Sequence, residues 1–182
     1  SVVVNPVPQV NTPSNVVVCN NSSTTAINFS TLNTGGTTTY AWTNNTTSIG
    51  LGSSGSGNIG SFTAINNGSS PVVATITVTP TFDNGGMSCV GATPKTFTIT
   101  VNPSAQLNQP ADLTVCNGQL TGVNFTTNNS GGTTTYSWTN NNPSIGILSN
   151  NTGNIATFYA INAGNAPVVA TIVVTPTFTN GG

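Results

Sequence analysis

Residues 72–82 read VVATITVTPTF. Val72, Ala74, Ile76, Val78, Pro80 and Phe82 fall on every second position, and Val73, Thr75, Thr77, Thr79 and Thr81 fill the positions between. Successive side chains of a strand point to opposite faces, so this alternation predicts a β-strand with one buried and one open face. The run 95–102, KTFTITVN, repeats the pattern, with Phe97, Ile99 and Val101 inward and Thr96, Thr98 and Thr100 outward. Between the two lies DNGGMSCVGATP, residues 83–94, which reads as a long glycine-rich hairpin loop. Upstream, strands are predicted at 16–19, 26–29, 37–43 and 59–65, and no segment of useful length has helical spacing.

The same text occurs twice. TTTYAWTNNTTSIG at 37–50 returns as TTTYSWTNNNPSIG at 133–146. Tyr136 follows Tyr40, and Val168 follows Val72, by 96 positions, whereas Cys116 follows Cys19 and Pro103 follows Pro6 by 97. The one-residue slip falls between the cysteine and the next phenylalanine (Phe29, Phe125), where a turn between strands absorbs it. Solenoid repeats run about 20–50 residues, so a period this long is that of a complete small domain. The expected units are 6–102 and 103–182. Residues 2–6, VVVNP, match ITVNP at 99–103, so 1–5 read as the last strand of a preceding repeat or as a donor strand. The second copy stops at TNGG, residues 179–182, which match DNGG at 83–86, and so lacks a counterpart of 95–102. Two explanations stand side by side: a window on a longer array, or a subunit whose Val2, Val3 and Val4 complete the unfinished sheet of its neighbour by strand addition.

Tyr40 and Trp42 share the face opposite Thr39, Ala41 and Thr43, and Tyr136 and Trp138 repeat the arrangement, so these four aromatics are predicted core residues. About seven short strands per unit, with a tryptophan on the third, is the pattern of an immunoglobulin-like sandwich. The expected fold is therefore all-β, a head-to-tail array of immunoglobulin-like β-sandwich domains. A sugar-stacking role for Trp42 is the weaker reading of a mid-strand tryptophan. Tyr159, out of phase with Phe158, is a better exposed ring, but Thr63 stands at its place in the first copy.

Composition narrows function more than any motif. Charged residues are 2% of the chain: one lysine, two aspartates, no glutamate and no histidine. Acid–base catalysis, nucleophile activation and phosphate binding need titrating or charged groups, so no catalytic, cofactor-binding or metal-binding residue is predicted and the chain is not read as an enzyme. Calcium at Asp83 fails an internal check, because Thr179 replaces it in the second copy. Asp112 aligns with Asn15 and reads as an isolated polar residue at a strand start. A net charge of −1 gives no electrostatic footprint for nucleic acid. The longest apolar runs fall far short of the roughly 20 residues that span a bilayer, and no signal peptide is read in these residues. Asn-x-Ser/Thr triplets at Asn21, Asn44 and Asn67 are as frequent as chance predicts in so Asn- and Thr-rich a chain.

The three cysteines become two per repeat once the unfinished copy is counted: Cys19 with Cys89, and Cys116 with a residue beyond Gly182. Paired cysteines in small β units imply an oxidising, extracellular setting. A bridge closing a loop of that length would contribute roughly 2–5 kcal/mol. Pairing within a repeat is the expectation, and pairing between neighbouring repeats stays open, because in a plain immunoglobulin topology Cys19 and Cys89 would lie at opposite ends of the sandwich.

VVCN and TVCN, YAWTN and YSWTN, SIGLGSSGSGNIGSFTAIN, VVATITVTPTF with its NGG, and FTITVNP together resemble the PKD-like and immunoglobulin-like repeats of long cell-surface adhesins in Bacteroidota, including those tied to gliding motility. The resemblance covers nearly the whole chain and implies a secreted, modular, non-catalytic surface protein, exported by the type IX pathway. The expected role is mechanical: a stalk or fibre supporting adhesion or motility, each bead adding roughly 35–45 Å. Prolines in NPVPQVNTP and NPSAQLNQP stiffen the linkers. The expected partners are neighbouring repeats, further copies in head-to-tail or lateral association, and surface glycans. A carbohydrate-binding or spacer module of a secreted enzyme is the alternative from another class.

Overall fold

The computed structural model describes residues 1–91 and 93–181. Ala92, in the expected hairpin loop, and Gly182, the end of the second expected unit, lie outside them. The chain divides into two compact units, Ser1–Ser104 and Ala105–Gly181. Both are all-β, and the chain's several sheets are consistent with a β-sandwich.

In the first unit six strands share one sheet: β1 (Val16–Cys19), β2 (Thr37–Asn44), β3 (Ser54–Ser56), β4 (Val72–Asn84), β5 (Met87–Val90) and β6 (Lys95–Asn102). Their order is β1-β6-β4-β2-β3. At 13 residues β4 is the spine. One edge of its first half pairs with β6, from Val72↔Val101 to Val78↔Lys95, and its last residues pair with β5, from Thr81↔Val90 to Asn84↔Met87. Its other edge pairs with β2, from Thr37↔Asp83 to Asn44↔Ile76. These pairings are antiparallel, whereas β1 lies parallel to β6, from Val16↔Ile99 to Cys19↔Asn102.

The alternation in 72–82 is realised residue by residue. Ala74, Ile76, Val78, Pro80 and Phe82 are buried, and the threonines between them are half-buried. The expected loop at 83–94 is partly a strand: β5 folds back on β4 through Gly85 and Gly86, both at positive φ (64° and 81°), which glycine adopts without a Cβ penalty.

Facing this sheet, the segments 20–30 and 58–66 form the opposing layer. They are held by two antiparallel bridges, Ser23↔Thr63 and Ile27↔Ile59, rather than the continuous strands expected at 26–29 and 59–65. Side chains take the backbone's place there: Thr24 Oγ1 accepts from Phe62 N (3.0 Å) and Asn58 Oδ1 from Phe29 N (2.8 Å). Ile27, Phe29, Ile59 and Ala64 of this layer pack with Trp42, Ala74, Ile76, Val78, Phe97, Ile99 and Val101 of the sheet in one core.

The second unit has β7 (Leu120–Val123), β8 (Thr133–Asn140), β9 (Asn150–Thr152), β10 (Ile155–Tyr159) and β11 (Ile172–Thr179). They form two sheets, β11-β8-β9 and β10-β7. Here the opposing layer is an antiparallel strand pair with a register shift between Ile155 and Phe158, yet the core is thinner: Phe125, Trp138 and Ile155 are buried, and Tyr136, Ile147, Ile172 and Val174 only partly. Ile76 and Val78 of the first unit are fully covered, whereas their aligned partners Ile172 and Val174 are not.

Candidate functional site: an open groove in the second unit

Trp42 and Trp138 are buried, at 8% and 4% exposure. Tyr40 and Tyr136 are half-buried, each with its ring 5.5 Å from a phenylalanine ring, Phe29 and Phe125 respectively. Desolvation by burial pushes the Tyr40 phenol above its ordinary pKa. The backbone of β3 lies against the Trp42 ring so closely that a Cβ on Gly55 would collide with it, which leaves no face for stacking a sugar there. Tyr159 is exposed on β10. Asp83 accepts a hydrogen bond from Ser88 Oγ (2.7 Å) across the β4–β5 hairpin. Among the described residues no three of His, Cys, Asp and Glu come together, and no helix is long and apolar enough to cross a membrane.

The cysteines correct an expectation. Cys19, Cys89 and Cys116 are all free thiols. Cys19 sits level with Asn102 at the end of β4 where Val72 pairs with Val101, and Cys89 sits opposite Phe82 near the other end. Ten residues of strand separate those levels, about 33 Å at about 3.3 Å per residue. A disulfide needs its Cα atoms within about 7 Å, so Cys19 and Cys89 of one unit cannot be bridged.

The most distinctive surface is a groove of about 770 Å³ in the second unit, with Leu107, Phe125, Ile155, Phe158, Val168 and Ile172 among its walls. Its origin follows from aligning the two units. In the first, β6 fills the gap between β1 and the first half of β4. Among the described residues of the second, no strand pairs in that gap, and both flanking segments lose strand structure. Residues 113–116, aligned with β1, and 168–171, aligned with the start of β4, are irregular. Backbone donors and acceptors without a ladder partner do not hold a strand conformation. Leu113 and Val168 are exposed in consequence.

Polar groups on the groove keep the geometry of the filled unit. Asn66, 4% exposed, makes four contacts: its N–H donates to Asn20 Oδ1 (2.7 Å), its Nδ2 to Ser70 O (2.9 Å) and Val101 O (2.7 Å), and its Oδ1 accepts from Gly68 N (3.0 Å). Asn162 reproduces the contacts with Asn117 (2.9 Å), Ala166 (3.0 Å) and Gly164 (2.9 Å). The one it does not make is the bond to a carbonyl of β6. Asn20 N donates to Asn102 O (2.8 Å) and Asn15 Oδ1 accepts from Thr98 N (2.9 Å); their aligned residues, Asn117 and Asp112, both lie on the groove.

Sequence reading pointed to the cysteines and aromatics, and read Asp112 as an isolated polar residue. It anticipated an unfinished sheet edge in the second copy but did not single out Asn162. The signal was present in the pairing of Asn66 with Asn162, an amide kept in both copies beside an apolar run. The chain matches no protein-family model, no curated protein and no solved structure.

Proposed function

We propose that the chain is a non-catalytic structural segment of an extracellular bacterial surface adhesin or filament. Tandem immunoglobulin-like, PKD-like β-sandwich repeats carry tension in it as a stalk or fibre, supporting adhesion or motility. One observation carries this reading: the parallel pairing of β1 with β6. In the first unit the chain enters the sheet at Val16 and leaves it at Asn102. Tension applied through the two ends therefore pulls β1 and β6 in opposite directions along their common axis. The evenly spaced bonds of a parallel ladder then share the load in shear and must yield together, whereas strands pulled apart from one end unzip bond by bond. Val10, buried in the core, and the bond from Asn11 N to Ser30 O (2.8 Å) must release before the load reaches β1.

The exterior suits this role. An amide and hydroxyl surface with 2% charged residues offers little repulsion between copies. The partners of this reading are neighbouring repeats of the same polypeptide and further copies of it, with surface glycans as the material to which a fibre adheres. Immunogold electron microscopy with antibodies to residues 1–182 tests it on cells that make the protein. The reading predicts label outside the cell along thin fibres. Label confined to the cytoplasm, or purified material that hydrolyses a polysaccharide, overturns it.

A further inference from the structure

We propose that the outer face of the first unit's main sheet packs against the same face of a second copy of this chain, so that copies join side by side. This rests on the structural reading above and supplies it with a defined lateral contact. The face lies on β1 to β6, and three observations carry it.

The first is composition in register. On β4 the side chains that point away from the core are Val73, Thr75, Thr77, Thr79 and Thr81. Strand pairing extends them into rows. Val17, Thr100 and Val73 form one row across β1, β6 and β4. Thr96, Thr77, Thr43 and Ser54 form another across β6, β4, β2 and β3. At the far end Val90 and Thr39 flank Thr81. Short β-branched side chains thus tile the face with methyl and hydroxyl groups. The pattern recurs in the second unit, where Thr175, Ser137 and Thr152 make a row across β11, β8 and β9.

The second is charge. Exposed surfaces are ordinarily kept apart by interspersed charged side chains. These rows hold none. Asp83 stands at one end of β4, bonded to Ser88, and Lys95 lies opposite the inward Val78, so it belongs to the other side of the sheet. Two copies can therefore meet without burying a charge. Each threonine hydroxyl both donates and accepts, so two such faces satisfy one another, as two faces of carboxylates or of ammonium groups could not. Val17, Val73 and Val90 are 44%, 52% and 69% exposed, and covering them is what association gains.

The third is area. Side by side, β1, β6, β4, β2 and β3 span about 24 Å at about 4.8 Å per strand, and Val73 to Thr81 runs about 26 Å at about 3.3 Å per residue. With β1 and β3 shorter than their neighbours, the face offers about 500 Å². Two copies would bury about 1,000 Å² in total, the size at which specific association begins. Like on like, the contact is isologous, with the sheets about 10 Å apart and their strands within about 30° of one another.

Sedimentation equilibrium of the 182-residue chain over a dilution series tests the contact. A reversible equilibrium between the 18.3 kDa monomer and its dimer is expected. Val73→Lys combined with Thr43→Lys sets like charges on both partners at two exposed positions, and should abolish the dimer while the thermal midpoint and Trp42 emission stay native. Val73→Glu combined with Thr43→Glu should do the same, and mixing the two double variants should restore a dimer. Leu120→Lys, at an exposed apolar position outside the face, should associate as the wild type does.

A wild-type chain that stays monomeric overturns the proposal, as does association that survives the face variants or a mixture that stays monomeric. Association lost equally in Leu120→Lys would mark a non-specific apolar contact and overturns it too. A single stalk needs no lateral contact, so none of these results touches the shear geometry of the first unit or the location of the protein outside the cell, and the structural reading is judged separately.

Discussion

Ile76 and Ile172 are the same residue in aligned strands, and their replacement by alanine should cost very different amounts. Ile76 has Phe97 of β6 on one side and Asn44 of β2 on the other, and is at 0% exposure. Ile172 is paired only with Asn140 of β8, and its other side opens on the groove. Truncating a fully enclosed isoleucine costs about 2–5 kcal/mol through lost transfer energy plus the cavity left behind, and Ile76→Ala belongs near 4 on that scale. Ile172 loses less apolar area and leaves no closed cavity, so Ile172→Ala should cost about 1–2 kcal/mol.

Urea unfolding reads both, because each unit holds one tryptophan: Trp138→Phe leaves Trp42 to report the first unit, and Trp42→Phe leaves Trp138 for the second. With a urea dependence of about 1.3 kcal/mol per M, the midpoints should fall by about 3 M for Ile76→Ala and about 1 M for Ile172→Ala. Should the first variant be unfolded without urea, Ile76→Val gives a graded loss of about 0.5–1.5 kcal/mol. Adding KTFTITVNP should raise the cost of Ile172→Ala towards that of Ile76→Ala. Equal shifts without peptide would mean that β6 does not close the core around this position, and the comparison of filled and open grooves would fail.

Asn66→Ala removes bonds to Val101 O, Ser70 O and Gly68 N and should cost about 2–3 kcal/mol, seen as a fall of about 10–20 °C in the melting temperature of the first unit. Asn162→Ala, lacking the bond across the groove, should cost about 1 kcal/mol by the same calorimetry. Burial raises the Tyr40 pKa in the fold, so its contribution is complete below the ordinary tyrosine range and is lost as pH rises through the folded value. Urea midpoints of the first unit should decline above about pH 10, and Tyr40→Phe should flatten the decline.

The long strands of the first unit's main sheet, β2, β4 and β6, were legible in the sequence, because each has one covered face and writes it as a period of two, whereas β3, Ser-Gly-Ser, carries no such pattern and was not read. The run from Val72 to Phe82 is the clearest case, and Tyr40 with Trp42 follows it. The opposing layer was less so. Thr24 and Asn58 satisfy backbone groups with their own side chains, and such competition leaves no mark in a hydrophobic pattern. β5 was read as loop, although the two glycines before it are a hairpin signal. The groove depends on which strands find partners, a property of topology: 168–171 repeat the letters VVAT of the first copy unchanged, yet take no strand conformation without a neighbour to bond.

Single-molecule pulling tests the mechanical claim most directly. With handles on both ends of the 182-residue chain, the first unit should yield in one event that frees about 290 Å of contour, from 87 residues at about 3.5 Å each less the short folded span. Moving the C-terminal attachment to the turn at Gly85, at the far end of β4 from the level of Val16, reverses the pull on the start of β1, so that β1 peels from β6 pair by pair and the rupture force should drop several-fold. Equal forces in the two geometries would contradict the account.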